Sequence, residues 1–371
     1  ELISGKPYAA INWAEGLDEE GRPIENPEAR NNDPATYAGF VQIPAPYGAH
    51  NWHPMAMNPD VGLVYIPAME LGQAYVADPR FKSKPAKWNT GMDFSAGIPL
   101  RYPEGTVQAM RAAAKGTLVA WDPVKQEARW KVEHEAGWNG GILSTAAGLV
   151  FQGKLDGTFI AYDAATGEQL WTEQLHSGAL SGPMTYEVDG EQYVTITTGW
   201  GHAYGLAAGM LFKDAVPPAV GKVITFKLGG DAEIPPLDTS LLVEPTPKAD
   251  PFGDEAMLQS GLVNFSRNCG VCHGLLGISS GVLPDLRWST YTASEEAWNN
   301  VVINGALAEN GMVSFADVLT PEDSEAIRAY IVTQAHMNRE NIEPKGIQEE
   351  AIGPGMDPDA EPEMEAGEET Q

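Results

Sequence analysis

From Ile11 to Leu206 the chain alternates short apolar runs with turn residues, a pattern that predicts strands rather than helices. Val61–Pro67, Gly148–Gly153 and Tyr193–Thr197 are such runs, filled by β-branched and aromatic residues and bounded by Gly, Asp or Pro. Two longer runs, Lys115–Asp122 and Asp156–Asp163, repeat one another. In each, Ala-x-Asp is followed eight residues later by Trp: Ala120, Asp122 and Trp130, then Ala161, Asp163 and Trp171. A period of about 40 residues points to the blades of a β-propeller. The Asp and Thr166-Gly167 build a tight turn between outer strands, and the Trp packs between neighbouring sheets. Residues 103–115 break the pattern: their helix propensity predicts a short scaffold helix leading into the next blade.

After Leu206 the pattern changes. Pro217-Pro218, Pro235-Pro236 and Pro245-Thr246-Pro247 punctuate a stretch holding one apparent strand, Lys222–Phe226, which predicts a semi-rigid linker. Helical spacing then takes over. Asp254 can cap a helix through Phe265, Ser294 opens a second, and Thr320-Pro321-Glu322-Asp323 starts a third that carries Ile327, Tyr330 and Ile331 on one side. From Glu343 the chain is acidic and rich in Pro and Gly, with nothing to form a core. The organisation expected is therefore residues 1–206 as propeller, 207–253 as linker, 254–340 as a helical domain and 341–371 as a disordered tail, or one wrapped on a partner.

Composition narrows the partners. With 51 acidic against 23 basic residues the net charge is −28, which disfavours nucleic acid and anionic membranes. No window holds the 18 or so uninterrupted apolar residues of a membrane-spanning helix. Glu1–Pro7 has neither an initiator Met nor the charged and apolar regions of a leader, and reads as mid-domain sequence.

The chemistry concentrates in Asn268-Cys269-Gly270-Val271-Cys272-His273-Gly274, which holds both cysteines of the chain. Thiols at i and i+3 followed directly by His form the attachment pattern of haem c: two thioethers and one axial ligand. A redox disulfide or half a zinc site is the alternative, but no second Cys or His pair stands at metal spacing. Cys269 and Cys272 are thus the covalent haem residues and His273 the proximal iron ligand. The sixth ligand expected is Met312, on the loop between the last two helices, with Met337 as its rival. Met/His ligation raises a haem potential. Haem c is attached outside the cytoplasm, so the protein is expected to be periplasmic or exported.

Several segments together resemble one family. The full Asp163–Trp171 element is similar to the tryptophan-docking motif of quinoprotein alcohol dehydrogenases. Asn51-Trp52-His53-Pro54-Met55 with Gly62–Ala68, Trp138–Gly141 with Ala147–Gly153, Asp189–Val194 and Gly199–Gly201 look like the same family. With the haem segment, residues 1 to about 337 resemble soluble quinohaemoprotein alcohol dehydrogenases. The resemblance implies roughly the second half of an eight-bladed propeller followed by an all-α class I cytochrome c domain. It implies pyrroloquinoline quinone (PQQ), haem c and calcium as cofactors, an alcohol as substrate and an external electron acceptor. In that family the first propeller half supplies the aspartate base, the calcium ligands, the vicinal disulfide over the quinone and the tryptophan beneath it, so no catalytic residue is expected in this chain. What it should contribute by resemblance is Asn51 and Trp52 against PQQ, Trp138 with Asn139 as a second inner contact, and backbone N–H groups from Gly201 to Ala203. His202 departs from the family's glycine there. Plain core packing is the competing role for both tryptophans. The expected partner is an N-terminal propeller half as a separate chain; a fragment of a longer protein and a haem subunit without quinone chemistry are the other readings.

Overall fold

The computed structural model describes residues 4–30, 40–83, 89–200, 203–212, 220–237, 246–279 and 283–339. It opens on an antiparallel pair, β1 (Ala14–Leu17) and β2 (Pro23–Glu25). After β3 (Phe40–Gln42) comes a four-stranded antiparallel sheet of β4 (Ala56–Asn58), β5 (Leu63–Glu70), β7 (Lys115–Asp122) and β8 (Glu127–His134), in that order. The intervening β6 (Gln73–Tyr75) pairs back with β3, and α1 (Thr106–Ala113) leads into β7. A second such sheet runs β9 (Ile142–Ser144), β10 (Leu149–Gly153), β11 (Thr158–Asp163), β12 (Gln169–Gln174). A third joins β13 (Met184–Val188), β14 (Glu191–Thr197) and β15 (Val223–Lys227), with α2 (Ala203–Phe212) between the last two in the chain. Helices follow: α3 (Glu255–Asn268), the single turn α4 (Gly270–His273), α5 (Glu295–Val302) and α6 (Pro321–Arg339).

The repeat seen in the sequence is the repeat of the blades. Ala120 faces Trp130 across the β7–β8 ladder and Ala161 faces Trp171 across β11–β12, and in both blades a bulge follows that alanine. Asp163 accepts hydrogen bonds from the Ala165 and Thr166 amides and from Thr166 Oγ1. Asp122 accepts from Val124 N and Lys125 N in the matching turn. The turn then needs a left-handed residue, which is Gly167 in the second blade (φ 77°) and Gln126 in the first (φ 55°). The tryptophan of each blade docks on the next. Trp130 Nε1 donates to Ala164 O at 3.2 Å, beside Tyr65 Oη at 2.8 Å on the same carbonyl. Trp171 meets Phe226 edge-on at 5.2 Å. Sheet-to-sheet burial does the rest: Tyr65, Leu118, Val150 and Tyr162 fill the first interface, and Phe151, Phe159 and Ile196 the second.

Lys222–Phe226, read from the sequence within the linker, lies instead at a sheet edge: Val223–Lys227 pairs along β14 from Tyr193↔Lys227 to Thr197↔Val223. The strand itself was legible; what the prolines on either side hid was its place in a propeller sheet, beside a partner about 30 residues upstream. The acidic tail expected over 341–371 is outside the described residues.

In the helical domain α3 crosses α6 at close range. A Cβ on Gly261 would sit 2.0 Å from Ala326 O, so only glycine permits the approach. Leu262, Phe265, Trp298, Ile327, Tyr330 and Ile331 form its core. Part of that core comes from the propeller side: Met210 is buried in it, and Ile98, Leu100, Tyr102, Val107 and Met110 pack against it.

Candidate functional site

The haem segment is placed by α3. Asp254 caps that helix, its Oδ1 accepting from Met257 N at 2.9 Å, and the helix carries Phe265 and Cys269 into the core. The chain tightens at once into α4, with Cys269 O accepting from Cys272 N and His273 N, both at 3.0 Å. This turn holds Cys269, Cys272 and His273 on one short helical arc. Gly274 ends it at φ 76°, where a Cβ would strike Ile278 O at 2.2 Å. Cys269 is buried, Cys272 exposed, and both are free thiols. Burial, and then the charge of Cys272, push the Cys269 thiol up to about 12.

His273 is buried, and its Nδ1 donates to Pro284 O at 3.0 Å. That bond fixes both tautomer and ring orientation and leaves Nε2 as the lone pair available to a metal. Burial lowers the imidazole pKa, keeping the ring neutral as ligation requires. Met312 packs against the same apolar core that contains Cys269, its amide bonded to Leu307 O at 3.2 Å. Two free thiols, an oriented histidine with a free Nε2 and an apolar wall bearing a thioether fit haem c.

On the propeller side the sequence-predicted residues separate into two groups. Asn51 spends its amide locally, Nδ2 on Tyr47 O at 2.8 Å and Oδ1 on Trp52 N at 2.9 Å. Trp52 is 52% exposed and stacks on His53 at 4.3 Å, leaving its other face open. Trp138, by contrast, is 1% exposed. It lies flat on Tyr204 of α2, centroids 4.9 Å apart and planes 1° apart, with Tyr47 and His53 against it edge-on at 5.5 and 4.9 Å. Asn139 Nδ2 holds Ala136 O and its Oδ1 accepts from Leu155 N. Ala203 begins α2, while Gly201 and His202 lie outside the described residues. Asn51 and Trp52 are thus at the surface; Trp138 and Asn139 form the layer beneath them.

Two further features left no trace in the residue pattern. His53 is buried, yet neither ring nitrogen finds a hydrogen-bond partner among the described residues. Burial, then the neighbouring His50, lowers its pKa to about 4. A neutral, unsatisfied imidazole under Trp52 is the kind of buried polar atom a bound group satisfies. The second feature is α2, which touches the Trp138 cluster through Tyr204 and Phe212 and the helical core through Met210. Among the described residues no group of three or more His, Cys, Asp or Glu is arranged to hold a metal ion, and no helix is long and apolar enough to cross a membrane.

Comparison with known proteins assigns both parts. Residues 27–194 match the family model for the glucose/ethanol/alcohol dehydrogenase β-propeller domain, and residues 256–331 that for cytochrome c oxidase, cbb3-type, subunit III. Quinohemoprotein alcohol dehydrogenase ADH-IIG of Pseudomonas putida is 40% identical over 91% of this chain. Over most of its length, then, the chain is similar to quinohaemoprotein alcohol dehydrogenases. The dehydrogenase subunit of the quinone alcohol dehydrogenase of Acetobacter aceti is 39% identical over the same share. Among solved quinohaemoprotein alcohol dehydrogenases, ADHIIG of Pseudomonas putida superposes with a TM-score of 0.79 at 36% identity over 92% of this chain, and the enzyme of Comamonas testosteroni with 0.72 over 91%. The chain spans about half the length of the relatives it matches: 46% of ADH-IIG and 49% of its solved structure. The two matched regions are propeller blades and a cytochrome c domain.

Proposed function

We propose that this chain supplies the C-terminal blades and the cytochrome c domain of a PQQ-dependent alcohol dehydrogenase. The observation that carries the reading is His273, whose Nδ1 is committed to Pro284 O while Nε2 stays free beside the thiols of Cys269 and Cys272. When bound, PQQ supplies a hydride-accepting carbonyl polarised by calcium, and haem c a one-electron acceptor. Cys269 and Cys272 would hold the porphyrin, and His273 and Met312 would ligate its iron. Trp52 would offer its open face to the quinone with Asn51 beside it, while His53 backs the indole from the opposite face. Trp138, Asn139 and the Ala203 end of α2 support that floor from the second layer, a position short of direct contact. The aspartate base and calcium ligands belong to the N-terminal propeller half, present as a separate chain or as the preceding part of one protein. A periplasmic or exported location follows from haem c attachment, and an external carrier takes the electrons.

The test combines the chain with its N-terminal half, adds PQQ and calcium, and follows haem absorbance as alcohols are supplied. Reduction of the haem by primary or secondary alcohols is expected, and mass spectrometry of the native protein should find the second propeller half. A haem spectrum unmoved by a panel of alcohols would instead favour an electron-transfer subunit without quinone chemistry.

A further inference from the structure

Arg267 stands in the last turn of α3, two residues before Cys269, and its guanidinium reaches out of the helical domain. Its Nη2 lies 3.0 Å from Asp78 Oδ1 and 3.1 Å from Asp93 Oδ2. Both carboxylates belong to the segment between β6 and α1. There Asp78 N bonds to Gly91 O and Asp93 N to Val76 O, which sets the two acids side by side across a short backbone pairing. All three side chains are largely buried, at 19%, 15% and 9% exposure. Burial alone would raise the Asp93 carboxyl, but hydrogen bonds from Ser95 and the charge of Arg267 outweigh it and hold the group below its ordinary value.

Two adjacent buried carboxylates repel unless one cation serves both, and here a single guanidinium nitrogen, Nη2, meets both. The same propeller segment is fastened to the helical domain a second time: Gln334 Nε2 of α6 donates to Leu100 O at 2.7 Å, and Ile98, Leu100 and Tyr102 lie on the helical core. The ion triad is therefore the polar end of one interface, placed at the haem-attachment end of α3.

We propose that Arg267 is a positioning residue, its grip on Asp78 and Asp93 fixing the haem-bearing turn against the propeller and thereby the haem's placement for electron transfer. This rests on the function proposed above. Arg267 touches neither cofactor; it acts through the docking of two domains.

The experiment compares R267Q, R267K and D93N with the unaltered protein, each combined with the N-terminal half and loaded with PQQ, calcium and haem. Amide hydrogen exchange over residues 76–114 should speed up about tenfold in R267Q and D93N, as buried charges lose their partner, and less in R267K. Alcohol-driven haem reduction should slow about tenfold in the same order, while the haem midpoint potential and its reduction by ascorbate stay unchanged. Exchange within twofold of the unaltered protein in both R267Q and D93N would overturn the proposal. So would a parallel change in potential or ascorbate reduction, which marks a merely structural role. Failure of the unaltered protein to reduce its haem with alcohol would count against the functional reading alone, because the exchange measurement reports docking without it. Should R267Q fail to fold, D93N and R267K carry the comparison.

Discussion

Trp138 decides whether the inner tryptophans of this chain serve the fold or the cofactor directly. Its indole is 1% exposed and stacked parallel to Tyr204, centroids 4.9 Å apart. An indole buries roughly 150–250 Å², worth about 4–6 kcal/mol at ~25 cal/mol/Å². Leucine in its place recovers about 1.5–3 kcal/mol, so Trp138→Leu should cost about 2–3 kcal/mol. The stack itself should appear as a coupling of about 0.5–1.5 kcal/mol in a double-mutant cycle with Tyr204→Leu. Urea unfolding is the assay, followed separately by far-ultraviolet dichroism and haem absorbance because two domains need not unfold together. A second-layer role also requires that Trp138→Leu weaken PQQ binding less than Trp52→Leu does. A single-variant loss below about 1 kcal/mol, or a coupling within the ~0.3–0.5 kcal/mol scatter of additive sites, would refute the packing argument. Stronger loss of PQQ affinity at Trp138 than at Trp52 would restore it as the direct contact.

Three further outcomes are expected. Met312→Ala should open the sixth iron position, so that ferric haem takes up added cyanide readily and its potential falls; the same change from Met337→Ala alone would move the role there. His134 is buried, its Nε2 donating to Gln152 Oε1 at 3.0 Å, and burial lowers its pKa from 6.5 to about 4. The unfolded chain therefore binds the extra proton first. Stability that is full above pH 6.5 should fall by about 3 kcal/mol as pH drops toward 4, and His134→Gln should flatten that part of the stability-versus-pH profile. Gly167→Ala should cost about 2–4 kcal/mol in urea unfolding, since the turn needs φ 77° and the new Cβ would lie 2.7 Å from Trp130 Cε3.

What could be read from the sequence was what chemistry or sterics pins to a local pattern. Cys269, Cys272 and His273 need only their spacing, and the Ala-x-Asp…Trp repeat announces a turn and a docking ring wherever it folds. Partners distant in sequence left weaker traces. β15 depends on pairing with β14, so its five residues looked like an interruption in a linker. α2 is apolar all round, Ala203–Phe212 being AYGLAAGMLF, and shows no polar stripe to mark a helix because it is wedged among aromatics and helical-core residues. Nothing in Trp52 and Trp138 as letters distinguishes the open ring from the closed one; the difference arises because α2 brings Tyr204 under Trp138 alone. Arg267, likewise, looked like an ordinary last-turn cation until Asp78 arrived from 189 residues upstream with Asp93 beside it.

The borrowed lining of the cytochrome core has a practical corollary. A cytochrome excised at the proline-rich stretch would leave behind Met210, Ile98, Leu100 and Tyr102, baring the greasy wall they cover. It should clump or lose its haem environment, and anyone transplanting it between homologues would have to bring the 76–114 excursion and α2 with it. The two halves of this polypeptide were fitted to each other, not merely strung together.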